Sequence, residues 1–282
     1  MNVKRFLLVD CNNFFVSCER VFNPRLRNKP VVVLSNNDAC VIARSNEAKQ
    51  VGIAMGQPLF ECRDLIKRHN VITLSCNFPL YGDMSDRVMQ ELTQRAEDIE
   101  VYSIDEAFLT LTVPDEQAVG KTYYTDHAVR IRAEVSRNTG IPVSIGIGST
   151  KTLAKLANQI AKKHPALNGV FDIDAIAHRD LLFSKIAVND IWGIGRRYGR
   201  MLNNYGIKTV LDFKHADEQW IRKKMTVIGH TTWREINGVS CLSLQEADQN
   251  KQTICVSRSF GKRVTRHAER AGADTSCYFR CP

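Results

Sequence analysis

The chain has 282 residues, 44% of them hydrophobic, and carries 39 Lys and Arg against 30 Asp and Glu, a formal net charge of +9. That apolar share suffices for two or three compact units with a sizeable core and excludes wholesale disorder. No apolar run approaches the roughly 20 residues that span a bilayer, and Met1–Arg5 leads straight into a strand-like run rather than a signal-peptide core. A cytoplasmic protein without a membrane partner is expected.

The nine cysteines are odd in number, scattered, and include no Cys-x-x-Cys pair, which argues against a disulfide framework or a zinc site. The charge is unevenly spread. Residues 1–184 hold 22 Lys or Arg against 21 Asp or Glu, whereas 185–234 hold 10 against 4 and 251–270 hold 6 against 1. A basic C-terminal third attracts a polyanion through counterion release, so nucleic acid is the natural partner, with a solvated basic face as the bland alternative.

In chain order, Arg5–Val9 reads as a buried strand. Asp10–Asn13 offers helix-capping side chains before a short helix over 14–22, which Pro24 ends. Residues 30–34 and 40–43 read as a hairpin about the turn Ser35–Asp38, followed by helices over 45–51 and 58–68. The spacing of Met84, Val88, Met89 and Leu92 predicts a helix from Tyr81 to Ile99. Strands over 100–103 and 107–112 then flank Ile104-Asp105-Glu106. A helix over 128–139, a strand over 143–148 and a helix over 150–163 complete a β-α-β-β-α-β order, the ferredoxin-like plan of an α+β fold. Beyond Pro165–Gly169 the chain becomes helical, at 179–182, 195–205, 210–214, 218–225 and 230–237, before a linker and a strand-like run over 253–259.

Two acidic segments carry the chemistry. Asp10 ends the first strand, and Asp105-Glu106 lies at the bend of the later hairpin, so the plan makes them sheet neighbours although about 95 residues separate them. Carboxylates at strand ends suit hard divalent cations; singly, each reads as a turn, cap or surface residue. The run Ile191-Trp192-Gly193-Ile194-Gly195, with Arg196, Arg197 and Arg200 next and Gly206-Ile207 further on, reads as a helix-hairpin-helix. Its Gly193 and Gly195 let the backbone approach a phosphate. Such a module grips DNA without reading bases. Lys49, Lys162 and Lys163 are candidates for contacting a triphosphate, or plain surface lysines; Phe14-Phe15 reads as core or as the wall of a sugar pocket.

Taken together, five ordered segments resemble the Y-family translesion DNA polymerases, and within them the polymerase V branch: Val9-Asp10-Cys11-Asn12-Asn13-Phe14-Phe15-Val16-Ser17-Cys18-Glu19, Ile42-Ala43-Arg44-Ser45-Asn46-Glu47-Ala48-Lys49, Tyr102-Ser103-Ile104-Asp105-Glu106-Ala107-Phe108, Gly148-Ser149-Thr150-Lys151-Thr152-Leu153-Ala154-Lys155 and Trp192-Gly193-Ile194-Gly195-Arg196-Arg197. The resemblance runs from about residue 4 to about residue 265. It implies a palm (1–23 and 78–168) with an inserted small fingers domain (24–77), an all-α thumb (169–240), a linker (241–252) and the start of a little finger with an atypical tail (253–282). It implies Asp10, Asp105 and Glu106 as catalytic ligands of two Mg2+ ions, with the Cys11 carbonyl as a further ligand. Phe14, Phe15, Asn46, Lys49 and Lys162 would bind the nucleotide, Phe15 as the steric gate against a ribose 2′-hydroxyl. Asn46 stands where several family members have Tyr. Gly193, Gly195, Arg196 and Arg197 would bind DNA.

The implied activity is error-prone, template-directed nucleotidyl transfer from a dNTP to a primer 3′-hydroxyl during SOS damage tolerance. Primer-template DNA, dNTPs, an accessory UmuD-type subunit and a recombinase filament are the implied partners; no clamp-binding tail is seen. Because only the start of a little finger is present, a truncated, polymerase-deficient homologue that binds DNA or partner subunits is the competing expectation.

Overall fold

The computed structural model describes residues 3–113 and 122–244. The expected strand over 253–259 and most of the linker lie outside the described residues. The chain runs β1 (Val3–Cys11), α1 (Phe14–Phe22), β2 (Val31–Leu34), β3 (Val41–Arg44), α2 (Asn46–Gln50), α3 (Leu59–His69), β4 (Ile72–Ser75), α4 (Phe78–Thr93), β5 (Asp98–Val101) and β6 (Glu106–Val113). It continues through α5 (Tyr123–Thr139), β7 (Val143–Gly148), α6 (Lys151–Lys163), β8 (Val170–Asp172), α7 (Arg179–Phe183), α8 (Arg196–Asn204), α9 (Val210–Lys214) and α10 (Glu218–Ile236). The described residues fall into two compact units, one of residues 3–12 and 80–244, the other of residues 13–79.

The larger unit is built on a five-stranded sheet in the order β5-β6-β1-β7-β8. β1 is buried from Phe6 through Cys11 because it is a central strand, paired antiparallel with β6 on one side and β7 on the other. The first four strands of that order realise the ferredoxin-like plan. β8 extends it, parallel to β7, where the sequence pattern predicts no strand. Three residues carry no periodicity of their own; the strand forms because the edge of β7 offers hydrogen bonds. The helix expected to reach Ile99 ends at Thr93, and Ile99 lies instead in β5, opposite Leu109 of β6. Cross-strand pairing overrides the helical spacing there.

α6 lies on this sheet with no room to spare. A Cβ at Gly146 would come within 2.1 Å of the Asn158 backbone nitrogen and 2.2 Å of the Ala154 carbonyl oxygen. The close approach lets the Asn158 amide donate to the carbonyls of Leu8 at 3.2 Å and Ser144 at 2.8 Å, fixing the helix over β1 and β7. Thr150 caps α6, its Oγ1 accepting from Leu153 N at 3.2 Å. The helices from α7 to α10 share a core formed by residues such as Phe183, Leu202, Phe213 and Ile236, which continues onto Leu153, Leu156 and Ile160 of α6. The fully buried Glu235 ties α10 to α6. Its carboxylate accepts from the backbone nitrogens of Thr152 (3.1 Å), Cys241 (2.6 Å) and Leu242 (3.1 Å), so the charge is met by three donors. α10 is broken at Thr226 (φ 64, ψ −169), which matches two expected helices with a gap between them.

The smaller unit holds a three-stranded sheet, β3-β2-β4, around Val32, Leu34, Val41, Ile53 and Cys62. The predicted hairpin is β2-β3, with a register shift at Val33/Leu34. β4, for which the sequence pattern predicts no strand, pairs parallel with β2. Ser45 caps α2, its Oγ accepting from Ala48 N at 3.1 Å. Asn13, by contrast, sits at the N-cap of α1 in a left-handed conformation (φ 50) and its side chain makes no cap bond. Its amide is used elsewhere, as shown below.

Candidate active site

Asp10 and Glu106 face each other across the β1-β6 ladder, because the register pairs Asp10 with Glu106 as it pairs Val9 with Ala107. Asp10 is 7% exposed and its carboxyl hydrogen-bonds Glu106. Burial is the largest influence on it, raising its pKa to about 7 against the opposing pull of the Lys162 ammonium. Glu106 behaves in the opposite sense. Burial would raise it, but hydrogen bonds from Asp10 and Lys155, and the charges of Lys155 and Lys162, hold it below the ordinary carboxylate range. The two carboxyls are thus driven apart, Asp10 toward its protonated form and Glu106 toward its ionised one.

Two lysines of α6 complete this arrangement. Lys162 pairs with Asp10, and Lys155 Nζ lies 2.8 Å from Glu106 Oε2. Lys155, Asn158 and Lys162 stand three and four residues apart, so one face of α6 presents all three side chains to β1 and its neighbours. Lys163 points elsewhere and pairs with Asp190 at 2.9 Å. The sequence reading singles out Lys162 but gives Lys155 no role of its own; the seven-residue spacing between them is the available signal.

Asp105 is held differently from its neighbours. Its carbonyl accepts from Cys11 N at 2.8 Å, which brings the end of β1 to the turn before β6. Its carboxylate accepts from Ser103 Oγ at 2.7 Å, and the same hydroxyl accepts from Glu106 N at 3.1 Å. Of the three carboxylates, two are therefore joined directly and the third is engaged by its own turn. Among the described residues, no three His, Cys, Asp or Glu side chains form a group that could hold a metal ion. The donor chemistry nonetheless fits hard cations. Carboxylate and carbonyl oxygens are the ligands such ions take, and the two ammoniums of α6 show that these carboxyls already draw cationic partners.

In the smaller unit, Lys49 Nζ donates to Asn13 Oδ1 at 2.6 Å, and Asn13 Nδ2 donates to Asn46 Oδ1 at 3.0 Å. Asn46 and Lys49 are thus brought together, with Asn13 as the member that the sequence reading assigns to helix capping. Phe14 is buried (3% exposed). Phe15 is half-buried and meets Phe78 edge-on at 6.2 Å, so of the two rings Phe15 has the more accessible face.

Gly193 has a φ of +88, a conformation that favours glycine, and Gly195 is the N-cap of α8 with nothing within 4 Å of where a Cβ would be. Arg196, Arg197 and Arg200 follow, all exposed. An open helix N-terminus with flanking arginines suits an anion.

Residues 9–159, over half of the chain, match the model of the impB/mucB/samB family, and the chain belongs to that family. It is 48% identical over 265 residues to the protein UmuC of Salmonella typhimurium, covering 94% of this chain and 62% of that protein. It is 33% identical over 230 residues to a DNA polymerase IV of Picrophilus torridus, covering 80% of this chain and 62% of the relative. Among solved structures, the insertion ternary complex of Dbh DNA polymerase superposes with a TM-score of 0.72 at 25% identity, covering 86% of this chain and 69% of that one. The chain spans about three fifths of the length of the first curated relatives it matches. No helix among the described residues is long and apolar enough to cross a membrane.

Proposed function

We propose that the chain is the catalytic part of a translesion DNA polymerase, transferring a nucleotide from a dNTP to a primer 3′-hydroxyl on a DNA template in SOS damage tolerance. The observation that carries this reading is the Asp10–Glu106 pair on adjacent strands with Lys162 and Lys155 against it, in a family whose relatives include named DNA polymerases. In this reading residues 1–23 and 78–168 are the palm, 24–77 the fingers and 169–240 the thumb.

Asp10, Glu106, Asp105 and the Cys11 carbonyl would hold two Mg2+ ions. Bound there, the ions would acidify the primer hydroxyl and neutralise the pyrophosphate leaving group. Asp10 would have to be ionised to take part, and Lys162, now paired with Asp10, would then turn to a triphosphate oxygen. Ser103 keeps Asp105 and the Glu106 backbone in a fixed turn. Lys49, oriented by Asn13, and Asn46 would contact the triphosphate, while Phe15 would exclude a 2′-hydroxyl. Gly193, Gly195, Arg196 and Arg197 would grip a DNA backbone phosphate. By kinship with UmuC, a UmuD-type accessory subunit is the expected partner.

Primer extension with Mg2+ on undamaged and abasic templates tests the reading. The chain should extend both, and Asp105→Ala should abolish incorporation while duplex affinity stays within about threefold, because the phosphate contacts lie in the thumb. Duplex binding without extension by the wild-type chain would leave only a binding role. Phe15→Ala should admit ribonucleotides, lowering the dNTP preference by one to two orders of magnitude; unchanged discrimination would remove the gate assignment.

A further inference from the structure

Lys155 is more than a counterion to Glu106. Its ammonium also lies 4.6 Å from the centre of the Tyr102 ring and 5.2 Å from that of Trp192, and the two rings meet edge-on at 5.6 Å, at 90°. Both rings also rest on Phe108 of β6, at 5.7 and 6.0 Å. The backbone nitrogens of Tyr102 and Ser103 both donate to the Glu106 carbonyl at 3.0 Å, so one wall of this cage belongs to the turn that carries Glu106. The other wall, Trp192, immediately precedes Gly193 of the phosphate-binding turn. A cation held by two ring faces and one carboxylate has its position set by all three.

We propose that Trp192, Tyr102 and Lys155 form a positioning relay through which a duplex held at the Gly193–Arg197 turn orients the Glu106 carboxylate. The proposal rests on the polymerase reading for its effect on rate, though not for the relay itself. A phosphate drawn onto Gly193 and Gly195 shifts the backbone next to Trp192; Trp192 carries Lys155 with it; Lys155 moves or frees the Glu106 oxygen it binds. A purely structural aromatic cluster would not need the ammonium. Trp192 and Lys155 are positioning residues, since neither is assigned a contact with the reacting atoms.

The test uses the whole chain with primer-template DNA. Duplex affinity is measured by anisotropy without metal, and single-turnover incorporation with Mg2+. Trp192→Ala should leave duplex affinity within about threefold and slow incorporation at least tenfold, while Trp192→Phe, which keeps a ring face, should stay within about threefold of wild type. Lys155→Met should slow incorporation similarly, and the double variant Trp192→Ala/Lys155→Met no more than the slower single one. Independently of activity, 5-fluorotryptophan labelling gives a 19F resonance for Trp192, identified by its absence in Trp192→Phe. Duplex added without metal should shift it in the wild type and not in Lys155→Met, with both proteins shown to be folded by their thermal transitions.

Additive losses in the double variant, a loss of rate matched by an equal loss of duplex affinity, or a duplex-induced shift that persists in Lys155→Met would each overturn the relay. If the wild-type chain extends no primer yet shows the Lys155-dependent shift, the polymerase reading fails and the relay stands.

Discussion

Asp10→Asn is expected to abolish nucleotide incorporation, by a factor of 10³ or more, and at the same time to make the metal-free protein more stable at alkaline pH. The Asp10 carboxyl has a folded-state pKa of about 7 against an ordinary value of 3.8, chiefly because it is buried. A carboxyl whose pKa is raised on folding contributes stability that is fully present below about pH 4 and is lost as the pH climbs to about 7. At roughly 1.4 kcal/mol per unit, the ceiling on that loss is about 4 kcal/mol. The substituted amide cannot ionise, so the variant should lose less stability than the wild type across this window. Urea unfolding at pH 5 and pH 8 in the absence of divalent ions measures the difference, and parallel pH profiles would overturn the assignment. Mg2+ at pH 8 should stabilise the wild type more than the variant, which has lost one of the carboxylates assigned to the cations.

Much of this site was legible because it hangs on strands whose patterns are unambiguous. The apolar run ending at Asp10 and the strand Val143–Gly148 read correctly, and β1, β6 and β7 together fix where Asp10 and Glu106 meet. What escaped the reading depends on pairing rather than on local pattern. β4 and β8 are four and three residues long, too short to show a period, and exist because β2 and β7 offer edges. Asn13 has the composition of a cap, yet its left-handed backbone sends its amide to Asn46 and Lys49. The role of Lys155 needed the β1-β6 register and the helix seating to be known together. Asp105, counted with the other carboxylates from sequence, bonds Ser103 because a hydroxyl two residues back in a tight turn lies within reach of it.

Gly146→Ala should be the most damaging substitution remote from the reacting groups. The added methyl would lie 2.1 Å from Asn158 N and 2.2 Å from Ala154 O, both main-chain atoms that cannot rotate away. Ordinary separation is about 3.5 Å, so α6 would have to retreat from β7 by more than an ångström. That retreat costs the two amide bonds of Asn158 and draws Lys155 and Lys162 off Glu106 and Asp10. Overpacking of a side-chain contact typically costs about 1 to 3 kcal/mol, and a main-chain clash belongs at or above the top of that range. The expected result is a loss of at least about 3 kcal/mol in urea unfolding, with incorporation falling in whatever folded protein remains. Gly195→Ala provides the contrast. Its Cβ would meet nothing, and its backbone, with φ of −75, accepts any residue, so stability should change by less than about 1 kcal/mol, the usual cost of Ala at a helix N-cap. Duplex affinity should nevertheless fall, because the methyl occupies the space in which a phosphate would sit. Equal stability losses for the two substitutions would show that α6 can slide on the sheet, and with it that the lysines are not fixed by Gly146.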